Sequence, residues 1–386
     1  MHKVSVLLFL EAVAILVGTI IGGGVFLLPY ANIQSGFVLS NLWLILLTIL
    51  LIIIHLLFGE VILRTKESYC LTGYAGLYLG NHAKKLLLLT STVSLSFSLI
   101  IYLLLGVKFV SLIFPVVAVL GNAVFWLVWL VFNSCIFVNF AKANKLNFIL
   151  SCLLIFLMFS ISFYILPHAK ISNLLSHMFS KDWFFSYGII FYALSGLAAI
   201  PLTFQFLREH NASHFSQKVV VFSFVLVALI YFLFMNSIAL VGGSHTTTDA
   251  ISGLIPFLGK GIAFAGALIG LLAVWTSYIT FAHYLKNVFT SDMKISNIVS
   301  LILVLLLPIL FLLLNMTQVE DLMSLVGGIV GALEGIMVLF IYDAAREKSE
   351  IKPAYSLNLS TFTLYFIGIL FFIGAISQII WKFVKV

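Results

Sequence analysis

Apolar runs, each long enough to cross a hydrocarbon core and separated by short polar connections, repeat along this chain from end to end. A bilayer core of about 30 Å takes roughly 20 residues of α-helix at 1.5 Å each. The pattern predicts eleven such helices, near residues 4–31, 37–62, 86–114, 118–140, 146–167, 183–207, 217–242, 257–286, 295–314, 319–342 and 360–382. The longest connection, 63–85, mixes tyrosine, glycine and charge and reads as a helix lying at the surface. No connection is long enough for a separate soluble domain. The expectation is an all-α polytopic membrane protein with 1–386 forming one membrane domain.

Composition agrees. Hydrophobic residues make up 63% of the 386 and charged ones 9%, against about 25% charged in soluble domains. The net charge of +7 is spread over short loops, which is no footprint for nucleic acid. Its distribution sets an orientation, because cytoplasmic loops carry the excess of Lys and Arg. With the N-terminus inside, the inner loops hold Lys3, Arg64, Lys66, Lys84, Lys85, Lys142, Lys145, Arg208, Lys218, Lys286, Lys294, Arg346, Lys348 and Lys352. The outer side holds Lys170, Lys181, Lys260, Lys382 and Lys385. An odd number of spans then puts the C-terminus outside. Lys3 and Ala12-Val13-Ala14 imitate a secretory signal, but Glu11 interrupts the run and the apolar stretch continues, so it is read as a retained first span. Cys70, Cys135 and Cys152 have neither disulfide nor metal spacing, and two of them fall in apolar segments as small core residues.

One span is badly written as a helix. Gly18-Thr19-Ile20-Ile21-Gly22-Gly23-Gly24 is followed by Pro29. Gly costs about 1 kcal/mol and Pro about 3 in a helix interior. Backbone freed within a bilayer survives only where it is buried in protein or lines a cavity. On spacing alone a broken helix and a small-residue packing face, with Gly18 and Gly22 four apart, stand equal. The sixth span tips the balance. Tyr192-Ala193-Leu194-Ser195-Gly196 leads to Pro201, and in both spans the proline stands five residues beyond the last glycine. The two points are five spans apart, and an odd repeat of five helices has inverted topology. Interrupted helices at matching positions of two halves point to a transporter's binding site. The halves would be 4–167 and 183–342, with 360–382 as an additional helix.

These residues carry a family resemblance. The stretch Gly18–Gly24 with Leu28-Pro29-Tyr30-Ala31 resembles the first helix of amino-acid permeases of the amino acid–polyamine–organocation superfamily, closest to the hydroxy/aromatic and the amino acid/auxin permeases. Glu60-Val61-Ile62-Leu63-Arg64 resembles the end of their second helix, Ser195-Gly196 through Pro201 their sixth, and Leu272–Ser277 with His283–Lys286 their eighth. The resemblance implies a leucine-transporter-like fold, a five-plus-five inverted repeat with one extra helix. The sixth-helix break has less aromatic and glycine character than is usual in aromatic amino-acid permeases.

A free amino acid has two charged ends to satisfy. Backbone N–H groups exposed at Gly22, Gly23 and Gly24, at the positive end of the following half-helix, suit its carboxylate. Carbonyls freed at Gly18, Thr19 and Tyr192, Ala193, Leu194 and Ser195, next to Gly196, suit its ammonium. Tyr192 and Leu194 are candidates for the side-chain pocket, against ordinary helix packing. In sodium-coupled members of the fold, an eighth-helix hydroxyl pair joins backbone carbonyls around sodium. Here the pair is Thr276 and Ser277, with Gly18, Ile21 and Ala273 as carbonyl partners. Five oxygens suit a small hard cation. Ser and Thr also commonly bond their own helix. Relatives that replace the ion use a lysine from the fifth helix, and here Lys145 stands only at that helix's inner edge. The coupling ion is read as sodium or a proton, with sodium favoured and no other cofactor.

Ionisable residues within spans are functional candidates by default. These are Glu11, Lys108 and Glu334. Either Lys108 pairs with Glu11 or Glu334, as buried charge demands, or one of the two acids relays a proton. His55 and His283 read more readily as satisfied core residues, and Glu60 with Arg64 as a solvated i,i+4 bridge or gate contact. Asn315-Met316-Thr317 fits a glycosylation sequon. No phosphate loop, metal cluster or catalytic triad appears, so no enzyme is expected. The leading reading is a secondary active amino-acid importer in a plasma or bacterial or archaeal membrane, working without an obligate protein partner. The alternative is a permease-like sensor, as in spore-germinant receptors, which binds an amino acid without net transport.

Overall fold

The structure, a computed structural model, describes residues 2–134, 144–312, 318–349 and 351–384. The described residues are helical, with short connections. The first apolar run forms two helices, α1 (His2–Ile20) and α2 (Gly24–Ser35), bent by 57° at the glycine stretch. Gly36, at φ 89°, turns the chain into α3 (Phe37–Leu63). The connection predicted to be a surface helix forms α4 (Leu71–Leu79), whose Leu71, Thr72, Tyr74 and Ala75 are nevertheless buried. Gly80, at φ 92°, turns it into α5 (Asn81–Ile113). A positive φ is cheap only without a Cβ, so each glycine fixes a sharp corner.

The chain continues through α6 (Ala123–Ser134), α7 (Asn144–Ile165) and the short α8 (Ile171–Ser176). The sixth predicted span is broken into α9 (Phe185–Leu194) and α10 (Ala199–Glu209). Then come α11 (Ser216–Gly242), α12 (Ile255–Asn287) and α13 (Asn297–Leu312). The tenth span runs from α14 (Val319–Leu325) through a π-helical turn, Val326–Gly331, into α15 (Ala332–Lys348), and α16 (Thr361–Val384) follows. Among the described residues, eight helices are long and apolar enough to cross a membrane, and the bent α1–α2 pair makes a ninth. Ala123–Ser134 and Asn297–Leu310 are shorter apolar helices at the places of the fourth and ninth predicted spans.

The two broken spans lie against each other. α1 packs on α10 and α2 on α9, while α11 covers α1 and α2, and the long α5 and α12 run side by side. Large apolar side chains left exposed, such as Ile45, Ile49, Phe156, Phe222, Phe366 and Phe372, face away from this core, as a lipid-facing surface requires. The end carrying residues 64–70 is called the inner end here, following the charge asymmetry. There Arg208 of α10 donates to the carbonyls of Ile62 (2.8 Å), Thr65 (3.1 Å) and Lys66 (3.0 Å), capping α3. Glu60 forms the expected bridge to Arg64 (2.7 Å) but is fully buried, not solvated. Its second oxygen accepts the N–H of Leu357 (2.8 Å) and its first the hydroxyl of Ser356 (2.9 Å), so it anchors the chain leading to α16.

Candidate functional site

The first break is a rearrangement of hydrogen bonds. In a continuous helix Gly22 would donate to Gly18 and Val25 to Ile21. Instead Gly22 N–H turns to Ile20 (2.9 Å) and Val25 N–H to Gly22 (3.4 Å), freeing the Gly18 and Ile21 carbonyls. The N–H groups of Gly23 and Gly24 reach no backbone acceptor among the described residues. Glycine is needed here for close approach. A Cβ on Gly24 would stand 2.8 Å from the Ala193 Cα in the second break, and one on Gly22 would stand 2.7 Å from Ser277 Oγ. At Gly23 it would meet the side chains of Leu105 and Tyr102 at 2.8 and 2.9 Å.

The second break spans Ser195–Ala198. Ser195 N–H turns back to Tyr192 O (3.1 Å), and Ala199 N–H goes to Gly196 O (3.0 Å). The expectation that the carbonyls of Tyr192–Ser195 are all free therefore needs correcting. Tyr192 O is taken by Ser195, and Ala193 O accepts from Tyr231 Oη at 2.9 Å. The Ser195 carbonyl loses its helical donor, because Ala199 has turned to Gly196. Gly196 N–H is received by Nε2 of His55 (3.1 Å), whose Nδ1 lies 2.7 Å from the Leu51 carbonyl.

The structure brings part of the predicted set together: Gly24 meets Ala193 and Tyr192, and Gly22 and Gly23 meet Tyr102, whereas Thr19 lines a cavity with Gly18. Thr19, Gly22, Gly23, Gly24, Tyr192, Ala193 and Leu194 are all buried, while Ser195 and Gly196 form the turn beside them. Tyr192 Oη faces the hydroxyls of Ser98 and Tyr102 without closing a hydrogen bond of good geometry to either. Ser277 Oγ stands beside Tyr102 and Gly22, fully buried and likewise without a partner. Burying a hydroxyl unpartnered costs about 1–3 kcal/mol, and these two stand near the Tyr102 hydroxyl, beside the N–H groups of Gly23 and Gly24. Beyond Gly24 along α2, Phe26 is buried, its ring 4.9 Å from that of Phe109 and 5.8 Å from that of Phe234.

Toward the inner end lie two small cavities. One, of about 40 Å³, is lined by Ala14, Gly18, Thr19, Ser151, Thr276 and Thr280. It brings two of the predicted cation ligands together. Thr276 Oγ1, however, donates within its own helix, to Leu272 O (2.9 Å) and Ala273 O (3.1 Å). Ile21 and Ala273 are fully buried. The fifth-span residue that faces Gly18 is Ser151, whose hydroxyl donates to Ala14 O (3.0 Å). The other cavity, of about 30 Å³, is lined among others by Ser91, Ser195, Leu197, Ala198, Tyr284 and Glu334. Each cavity has room for about one water-sized occupant.

The charged candidates need correcting too. Lys108 pairs with neither acid; its Nζ donates to Thr248 Oγ1 (2.8 Å) in the connection between α11 and α12. Glu334 accepts from Ser91 Oγ (2.8 Å) and faces the second break. Glu11 is half-buried with no ion pair among the described residues. At the inner surface, Asp292 receives the Thr72 hydroxyl and the Gly73 N–H (2.7 Å), pinning α4. Burial beside it pushes the Cys70 thiol up, so this cysteine is inert at neutral pH. Cys152 is exposed, not a core residue. Cys135 and the Asn315 sequon lie outside the described residues. No cluster of His, Cys, Asp and Glu among the described residues has the makings of a metal site.

Sequence reasoning missed Ser98, Tyr102, Ser151, Tyr231, Phe26 and Phe109, and gave His55 only a core role. Nothing local marks them, because each acts through a contact with a distant helix.

Residues 7–381 match the family model for the tryptophan/tyrosine permease family. The chain belongs to that family. This permease is an integral, multi-pass membrane protein and an amino-acid transporter. Among solved structures it is similar to MhsT in complex with L-phenylalanine, at 16% identity, with 97% of this chain and 98% of that chain covered and a TM-score of 0.68. That likeness bears out the leucine-transporter-like fold. No curated protein matches the sequence. The family and the fold are those of transporters, and the sensor reading is not favoured.

Proposed function

We propose that this permease imports an aromatic amino acid by alternating access, with its N-terminus inside and the substrate held between the two breaks. The observation that carries the reading is the contact between them. Gly24 lies against Ala193 with no room for a side chain, and the N–H groups of Gly23 and Gly24 lie at the start of α2 with no backbone partner among the described residues. A carboxylate at that helix N-terminus would be received by N–H groups and by the helix dipole. The freed Ser195 carbonyl would receive the ammonium. Tyr102, Tyr192 and Ser98 would border the side chain with hydroxyls next to aromatic surface, which suits an amphipathic ring such as indole or phenol. The family's substrates and the phenylalanine bound to MhsT support the aromatic class.

Substrate passage would be driven by a cation moving downhill. For sodium, treated as a co-substrate, the freed carbonyls of Gly18 and Ile21 and the orphaned Ser277 hydroxyl supply oxygens, with Ala273 and Thr276 completing five. Thr276 would have to turn from its own helix to join them. A second reading has an observation of its own. Glu334 is a buried carboxylate whose one hydrogen-bond partner among the described residues is a serine, in a cavity bounded by the second break. Such a group is suited to take and release a proton. Uptake of labelled L-tryptophan into proteoliposomes separates the readings. A full initial rate without external sodium at fixed pH excludes sodium. Binding without accumulation under either gradient overturns the transport proposal.

A further inference from the structure

Breaking a helix within a membrane orphans several backbone groups at once, and the fold has to decide which are satisfied by protein and which are left for a ligand. Two fully buried side chains make that division. His55, on α3, has Nδ1 beside the Leu51 carbonyl of its own helix, so Nδ1 carries the proton and Nε2 presents its lone pair. That lone pair receives the Gly196 N–H, whose helical acceptor, Tyr192 O, is occupied by Ser195. A Cβ on Gly196 would stand 3.3 Å from the same Nε2 and 2.8 Å from the Ile20 side chain, so histidine, second break and first break are in one contact.

Tyr231, on α11, does the complementary work. Its Oη lies 2.9 Å from Ile20 O, the last carbonyl of α1, and 2.9 Å from Ala193 O, a carbonyl that loses its helical donor at the second break. One phenolic proton is shared between the two breaks. The two residues sit on the second and seventh predicted spans, which occupy matching places in the two halves of a five-helix repeat. An N–H on one break thus donates to a residue of one half, and a carbonyl on each break accepts from a residue of the other.

We propose that His55 and Tyr231 are positioning residues that hold the two breaks in binding register. They satisfy Gly196 N–H and Ala193 O, link Ala193 O through the same hydroxyl to Ile20 O, which also accepts from Gly22 N–H, and leave the Gly23 and Gly24 N–H groups and the Ser195 carbonyl for the substrate. This rests on the reading that substrate binds between the breaks. Neither residue need touch the substrate. The hydrogen-bonding part of the inference is testable without knowing what is carried.

The test uses the full chain in lipid nanodiscs and two readouts. In hydrogen–deuterium exchange, His55→Leu should speed exchange at least tenfold in the segment 192–201 while leaving α5 and α12 unchanged, and His55→Gln, which restores an acceptor, should return it toward wild type. Tyr231→Phe, which keeps the ring, should loosen residues 18–25 and 192–201 together. In uptake of labelled L-tryptophan, the Leu and Phe variants should raise KM about tenfold at a kcat within twofold, with Gln again recovering most of the affinity. Exchange unchanged in both segments, or raised uniformly through the protein, overturns the proposal, as does Gln behaving like Leu. If His55→Leu does not accumulate in the membrane, Tyr231→Phe against wild type decides the matter alone. Local exchange changes with no tryptophan uptake by wild type would uphold the bracket and count against the aromatic substrate instead.

Discussion

The first and second breaks do the same thing in different ways. The first is built from sterics. Three consecutive glycines remove every Cβ that would meet Ala193, Ser277 or Tyr102, and the chain bends by 57°. The second has one glycine, Gly196, and is held by a histidine more than a hundred residues away in sequence. A break made by absent side chains is locked by whatever packs against it. A break made by a hydrogen bond to another helix moves with that helix. The first is therefore shaped mainly by what packs against its glycines, sharing with the second only the Tyr231 hydroxyl, while the second is also tied to α3, whose inner end Arg208 ties to α10.

That contrast can be broken by substitution. Gly24→Val should be the most damaging change, because its Cβ meets backbone at Ala193, which cannot swing aside. We expect about 1–3 kcal/mol of destabilisation by overpacking and no measurable uptake. Gly196→Val meets the end of the Ile20 side chain and should cost less stability in a thermal melt of the solubilised protein. Equal losses at the two sites would erase the distinction. Next in size is Glu334→Gln, which leaves both breaks intact but removes the carboxylate facing the second. If a proton is the coupling ion, proton-driven accumulation should fall about tenfold, equivalent to 1.4 kcal/mol, with facilitated exchange preserved. An unchanged pH response would count against Glu334. Ser277→Ala, beside the first break, should lower sodium affinity about three- to tenfold if sodium is used, the scale of one hydrogen bond at about 0.5–1.5 kcal/mol. The smallest effect is expected at Lys108→Met. Its partner is a threonine, so the melt should shift by less than the roughly 3–5 kcal/mol that breaking a buried ion pair costs.

The sequence showed these regions unequally, for physical reasons. Span periodicity and charge placement are local, so the helices and their order could be read directly. The first break was legible because glycine and proline carry their conformational cost with them. The second needed the analogy of Gly196 and Pro201 to the first. The residues that finish the site were not legible, because their meaning lies in contacts between helices. Nothing in the run Leu51-Ile52-Ile53-Ile54-His55 says that the imidazole faces Gly196, and nothing in a chain with 37 phenylalanines singles out Phe26 and Phe109 as a buried pair. Lys108 was misassigned for the same reason. Opposite charges on different helices attract only if the fold brings them together, and it brings Lys108 to Thr248 instead.

Substrate sitting at the first break is the claim on which the rest depends. Gly23 is the probe, since the nearest atoms to a Cβ there belong to the Leu105 and Tyr102 side chains and not, as at Gly24, to backbone. The measurement is accumulation of labelled L-tryptophan in proteoliposomes containing equal amounts of folded wild type and Gly23→Leu. Uphill accumulation is expected for wild type and none for the variant. Accumulation by Gly23→Leu at the wild-type rate would contradict it.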